Sequence, residues 1–196
     1  MIVHVASSNP GKLREFALAA AESGVLVATL PELDVITAPE ETGITFEENA
    51  AQKALYYSRF SPELVLADDS GLEVDALHGE PGVRSARYAG EHASDEENNG
   101  WLLHRLQGLT QRSARFAAVI AVAQAGKLVL TARGEVEGEI LHAPSGTGGF
   151  GYDPLFFYPP LQRSFAELTP DAKLALSHRG RALRETFARL KAANPE

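Results

Sequence analysis

Apolar positions along the chain switch between two spacings. A short apolar run, Ile2 to Ala6, meets Ser7-Ser8-Asn9-Pro10-Gly11-Lys12, after which apolar residues recur with helical spacing to about Ser23. Asn9 before Pro10 predicts the helix start, a capping side chain followed by a residue suited to the first turn. A second strand is predicted at Val25 to Thr29, and Glu40-Glu41-Thr42-Gly43 reads as loop. Phe46 to about Arg59 reads as helix, with Thr45 and Glu48 at the spacing of a capping box. Leu64 to Ala67 has the character of a short buried strand ending at Asp68-Asp69-Ser70-Gly71; alternation in Leu72 to Ala76 predicts a separate strand.

Further along, Gly79-Glu80-Pro81-Gly82 reads as a turn. Ser94 and Glu97 mark a third helix whose apolar face includes Trp101, Leu102 and Leu106. Phe116 to Ala123 and Leu128 to Arg133, joined at Ala125-Gly126, predict an antiparallel hairpin, with strand continuing through Val136 to Leu141. Gly146 to Asp153 is too glycine-rich for regular structure. After Leu155 to Tyr158, Thr169-Pro170 opens a helix, and a final amphipathic helix runs from about Arg179 to Ala192. Strand–helix alternation combined with a hairpin predicts an α/β fold with a mixed sheet. With no repeat or linker, residues 1–196 are expected to form one domain.

Composition narrows the function classes. The net charge of -8 argues against a nucleic-acid polymer as partner, which would need a broad basic footprint. A small anion still fits if a few cationic side chains converge on it. No apolar run approaches the ~18 residues of a membrane span, and no signal peptide is apparent, so a cytoplasmic location is expected. Zero cysteines exclude a disulfide, a thiolate zinc site and a cysteine nucleophile.

Four segments could carry chemistry. Lys12 falls in the first turn of a helix, where a cation is unfavourable unless an anion binds the same N-terminus. The competing reading is a strand–helix turn with a solvated lysine. Asp68-Asp69 beyond an apolar strand suits a hard cation such as Mg²⁺, with Glu40 or Glu41 able to supply a second carboxylate. The bland alternative there is a turn with solvated carboxylates. Gly146 to Asp153 offers close backbone approach together with the ring faces of Phe150 and Tyr152. Lys173 repeats the Lys12 anomaly, and Arg179 has donors suited to phosphate oxygens or a purine carbonyl. His178 beside it reads more simply as structural.

Six motifs occur in register: Ser-x-Asn-x-x-Lys at 7–12, Glu-Glu-Thr-Gly-x-Thr-Phe-x-Glu-Asn-Ala at 40–50, and Ala-Asp-Asp-Ser-Gly-Leu at 67–72. Pro-Gly-x-x-Ser-Ala-Arg-Tyr at 81–88, Gly-Thr-Gly-Gly-Phe-Gly-Tyr-Asp at 146–153 and Lys-x-x-x-Ser-His-Arg-Gly at 173–180 complete the set. In this order the chain resembles the inosine/xanthosine triphosphate pyrophosphatase family over nearly its whole length. Ser7-Ser8 stand where many members have Thr-Gly. The resemblance implies an elongated central mixed sheet flanked by helices, two lobes with an active-site cleft between them, and a homodimer. It implies hydrolysis of the deaminated-purine triphosphates ITP, dITP and XTP to monophosphate and pyrophosphate. Carried onto this chain, Ser7, Ser8, Asn9, Pro10, Gly11, Lys12 and Lys53 would hold the triphosphate. Glu41 and Asp69 would bind Mg²⁺, Asp69 also being the base that activates water. Ser70, Phe150, Gly151, Tyr152, Asp153, Lys173, His178 and Arg179 would complete the nucleotide site. Glu48 and Asn49 read as structural by default. Septum-formation-type pyrophosphatases carry Ser-Pro-Arg-Arg where this chain has Asn-Pro-Gly-Lys. A non-catalytic nucleotide sensor would not need both Glu41 and Asp69.

Overall fold

The capping signals in the sequence act as helix starts. Strand β1 (Ile2–Val5) leads to Asn9, which caps α1 (Pro10–Ser23) by accepting the Lys12 backbone N–H at 3.0 Å; Gly24, at φ 71, ends it. After β2 (Leu26–Thr29), Thr45 and Glu48 form the capping box of α2 (Phe46–Tyr57). Strand β3 (Leu64–Val74) follows, then α3 (Asp95–Arg105), capped reciprocally by Ser94 and Glu97. The hairpin of β4 (Ser113–Gln124) and β5 (Lys127–Ile140) precedes the short β6 (Phe156–Tyr158) and β7 (Arg163–Ser164). Thr169 caps α4 (Pro170–Leu176), and α5 (His178–Ala193) closes the described part of the chain.

This computed structural model describes residues 1–193. Its seven strands form one mixed sheet in the order β2-β1-β3-β4-β5-β6-β7. Strand β1 pairs in parallel with β2 and β3, while every later pairing is antiparallel. Period-two alternation sends side chains to two layers. Leu66 and Ile120 face Phe16 of α1, Leu174 of α4, and Leu183 and Phe187 of α5. Ala67, Val119 and Ala121 face Phe46, Ala50 and Ala54 of α2; alanines on both sides let the helix lie close. A third cluster, including Leu72, Leu102, Phe116, Tyr152, Phe156 and Phe165, joins α3 to the glycine-rich segment. Each fully buried large apolar side chain contributes about 1.5–3 kcal/mol.

Two expectations from the sequence are corrected. Asp68-Asp69 does not end a strand: β3 runs unbroken through both, Asp68 opposite Ile120 and Asp69 opposite Val119. Carboxylates are tolerated in mid-sheet because cationic side chains meet them on both faces. Trp101 does not share the buried face of α3; it is 39% exposed and stacks on His104. Leu102 and Leu106, four residues apart, face inward, and the ~100° step between neighbouring helical positions turns Trp101 off that stripe.

Gly134 on β5 seats the start of α5. A Cβ there would overlap the backbone of His178 and Ala182. Gly134→Ala should therefore lift the helix that carries His178 and Arg179 and lower stability by about 2 kcal/mol. The check is the urea denaturation midpoint, and an unchanged midpoint would show that α5 does not rest on this glycine.

Candidate active site

Strand alternation divides the neighbouring carboxylates between the two faces of the sheet. Asp69 turns toward α2. There Lys53 donates to Asp69 Oδ1 at 3.1 Å and to Glu41 Oε1 at 2.9 Å, so one ammonium bridges both carboxylates. Asn49, buried on α2, donates to Asp69 Oδ2 at 3.1 Å and accepts the Gly43 N–H at 2.8 Å. It thereby ties the loop carrying Glu41 to the strand carrying Asp69. Arg87 stands 3.7 Å from the other Glu41 oxygen, and Glu40 is exposed. Burial pushes Asp69 above the ordinary carboxylate range, with Lys53 only partly opposing it. Burial alone would lower the Lys53 ammonium, but Asp69, Asp68 and Glu41 together raise it.

Asp68 turns the other way, toward α1 and α5. Lys12 lies 3.0 Å from its Oδ1, and Arg179 Nε donates to its Oδ2 at 3.2 Å. Burial would raise this carboxyl, but Lys12 and Arg179 hold it well below the usual range. The Lys12 ammonium is itself lowered by burial, which outweighs the attraction of Asp68. Arg179 also donates through Nη1 to Glu15 at 2.5 Å and through Nη2 to the Ser70 hydroxyl at 2.6 Å. Glu15 holds Lys173 at 2.9 Å, and Lys173 reaches Asp153 at 2.5 Å. Burial opposes ionisation of Glu15, but Arg179 and Lys173 overcome it. Around Asp68, three carboxylates (Glu15, Asp68, Asp153) thus face three cations (Lys12, Lys173, Arg179).

Two recesses meet over this network. Ser7, Ser8, Asn9, Lys12, Glu41, Lys53 and Asp68 line a cleft at the N-terminus of α1. Asn9 and Lys12 also line a second pocket with Ser70, Phe150, Gly151, Tyr152, Asp153, Lys173, His178 and Arg179. The positions singled out from the sequence therefore gather here, with three distinctions. Asp69 lines neither recess and meets the cleft only through Lys53. Pro10 is exposed in the first turn of α1, and Gly11 is buried directly against the Phe150 ring, where a Cβ would overlap it. Lys173 Nζ stands 4.4 Å from the centroid of that ring, on its face. Asp153 supports the loop from behind, its Oδ2 accepting the Phe150 N–H at 2.8 Å. The Tyr152 hydroxyl donates to the Ser85 carbonyl at 2.8 Å. His178 stacks on Phe116 at 4.7 Å and 15°, and its buried Nδ1 has no hydrogen-bond partner among the described residues.

Sequence reasoning missed Glu15 and left Asn49 as structural. A signal for Glu15 was present: Gly11, Glu15 and Ala19 repeat at four-residue spacing, placing a carboxylate in the middle of the buried stripe of α1. Asn49 likewise sits between Phe46 and Ala50 on the buried side of α2. A buried charge or carboxamide in such a stripe needs a partner.

Glu41 and Asp69 fit a divalent cation by donor chemistry, since both offer hard carboxylate oxygens and already share one cationic partner. Among the described residues no cluster of three or more His, Cys, Asp or Glu side chains could hold a metal ion. Mg²⁺ suits a two-carboxylate site because it normally takes its other ligands from phosphates and water.

Comparison with known proteins identifies relatives over nearly the whole chain. Residues 3–189 match the sequence profile of the Ham1 family. A dITP/XTP pyrophosphatase of Acidobacterium capsulatum is 52% identical, the alignment covering 97% of this chain and 98% of that protein. The solved structure of the Staphylococcus aureus Ham1 protein superposes with a TM-score of 0.87 at 41% identity, covering 99% of this chain and 100% of that one. A HAM1 protein from Coxiella burnetii gives 0.88 at 40% identity, covering 98% and 99%.

Burial, reinforced by Arg179 and Lys173, drives the His178 imidazole well below its ordinary value of 6.5. The unfolded chain therefore takes up a proton below pH 6.5 that the folded chain refuses. This group's share of stability is intact above that pH and declines by about 1.4 kcal/mol per pH unit as pH falls toward the folded pKa. His178→Gln should flatten the stability profile between about pH 6.5 and 5. Denaturant midpoints of both proteins across that range provide the check, and parallel profiles would refute the buried neutral imidazole.

Proposed function

We propose, starting from the fact that the chain belongs to the Ham1 family, that it hydrolyses the deaminated-purine nucleoside triphosphates ITP, dITP and XTP to monophosphate and pyrophosphate. Such an activity cleanses the nucleotide pool of deaminated purines. The observation that carries this reading is the Glu41–Lys53–Asp69 cluster adjoining the N-terminus of α1 and the aromatic pocket. One end offers cations, the N-terminus of a helix and a proton acceptor. The other offers ring faces and directional donors.

In the proposed site, Ser7 to Lys12 and Lys53 hold the triphosphate, whose charge of roughly minus four near neutral pH requires several cationic partners. Asp69 orients a water molecule and accepts its proton as the water oxygen bonds to the α-phosphorus. The bond from that phosphorus to the bridging oxygen breaks in line, and pyrophosphate departs. Glu41 and Asp69 would hold Mg²⁺, which when bound supplies Lewis-acid polarisation of phosphoryl oxygens and offsets charge in the transition state. Lys53, which now spans the two carboxylates, is then free to turn toward phosphate.

Ser70, Phe150 to Asp153, Lys173, His178 and Arg179 form the nucleoside end of the proposal. Three nitrogens of Arg179 already bond Asp68, Glu15 and Ser70, so only its remaining N–H donors are available to a purine carbonyl. A 6-oxo purine accepts from such donors, whereas the 6-amino group of adenine would leave them unpaired. On the same reading, residues 1–196 act as one domain and as a homodimer in the cytoplasm, without a nucleic-acid polymer or membrane partner. The family resemblance supports the dimer, and the net charge of -8 supports the absence of a polymer partner.

A panel of ITP, dITP, XTP, GTP, ATP and dTTP, with and without Mg²⁺, tests the reaction. Pyrophosphate should appear from the first three and depend on the metal; orthophosphate as the only product would sink attack at the α-phosphorus. Asp69→Asn should lower kcat at least about 100-fold while ITP binding stays measurable by calorimetry. Near-normal turnover in that variant would remove Asp69 from the role of base.

A further inference from the structure

Helix α3 supplies none of the groups assigned to the reaction, yet its polar side chains grip the walls of the aromatic pocket. Asp95 and Asn99 lie one helical turn apart and take both backbone groups of Gly151. The Gly151 N–H donates to Asp95 Oδ2 at 2.6 Å, and Asn99 Nδ2 donates to the Gly151 carbonyl at 3.0 Å. Between them in sequence, Asn98 accepts the Ala89 N–H at 2.8 Å and donates to the Ala86 carbonyl at 3.1 Å. Ala86 and Gly151 both line the pocket.

Gly151 needs such a hold. It adopts φ 60 and carries no side chain of its own to pack. It also lies between the two aromatic residues of the loop, Phe150 against Gly11 and Tyr152 bonded to Ser85. The direction of the Asn99 carboxamide is fixed, because only its NH₂ group can donate to a carbonyl. Its other end, Oδ1, is buried without a hydrogen-bond partner among the described residues. An apolar residue of similar shape would avoid that unpaired acceptor, so the distinguishing contact of this amide is the one to Gly151.

We propose that Asp95 and Asn99 are positioning residues for the nucleotide base, clipping Gly151 from both sides so that Phe150 and Tyr152 stand ready before the nucleotide arrives. The inference rests on reading this pocket as the base subsite. With the clip intact, the loop is ordered in advance and base binding does not have to order it. Without it, affinity is lost at the base end, while the phosphate end around Lys12 and Lys53 is unchanged.

Calorimetric titration in EDTA with ITP and, separately, inorganic tripolyphosphate distinguishes the two ends without turnover. Asp95→Ala and Asn99→Ala should each weaken ITP about tenfold, the scale of one charge-assisted or well-buried hydrogen bond, and leave tripolyphosphate within about twofold. Asp95→Asn keeps an oxygen for the Gly151 N–H and should bind ITP within about threefold of the unmodified protein. With Mg²⁺ present, the alanine variants should raise KM for ITP with a much smaller effect on kcat. Equal weakening of both ligands, or unchanged ITP binding in both alanine variants, overturns the clip. Unmodified protein that binds ITP yet releases no pyrophosphate would instead overturn the proposed activity, and the binding comparison would still decide the clip.

Discussion

A guanidinium removed from water must be met by carboxylates, and Arg179 meets two that come from different parts of the chain. Glu15 arrives from α1 and Asp68 from the centre of β3, while Arg179 itself sits in the first turn of α5. Burial works against all three charges, yet each is held ionised by the others. Removing one member of such a group leaves an uncompensated buried charge, a loss of about 3–5 kcal/mol. The same charges would add little net stability over a well-packed apolar core. Their effect is to permit one mutual arrangement of helix, strand and helix. Lys12, Lys173, Asp153 and Ser70 are located by reference to that arrangement.

This constraint also prepares the site electrostatically. The cations lining the cleft are already desolvated and held by carboxylates, so little reorganisation would be needed to receive an anion. Lys12 illustrates the balance: burial weakens its ammonium, and Asp68 offsets that only in part. Lys53 does the equivalent on the opposite face, drawn up by Asp69, Asp68 and Glu41. The two lysines approach neighbouring residues of one strand from opposite sides of the sheet.

Local chemistry in the sequence was enough to find most helices, because Asn9, Thr45, Ser94 and Thr169 each carry a capping pattern that needs no tertiary context. The β4–β5 hairpin was legible for the same reason. The course of β3 was not. Asp-Asp-Ser-Gly has poor strand propensity, and only the helices packed on each face explain why the strand continues through it. For Glu15 the helical spacing marks a buried carboxylate but not its partners, because Lys173 and Arg179 lie more than 150 residues away in the chain. Trp101 erred in the opposite direction, an aromatic residue assigned to a core that its helical phase does not reach.

The unbroken β3 also accounts for the unequal standing of the two aspartates. Had the strand ended at Ala67, both carboxylates would have lain on a turn, each with similar access to water and cations. Inside a strand, the alternation of side chains assigns them to opposite layers. Asp68 is committed to the charged core under α1 and α5, where Lys12 and Arg179 hold its proton affinity down. Asp69 is committed to the α2 side, where burial raises its proton affinity and Glu41 lies within reach of the same ammonium. One backbone step therefore gives two identical side chains opposite electrostatic environments. The acceptor with the raised proton affinity is the one beside Glu41.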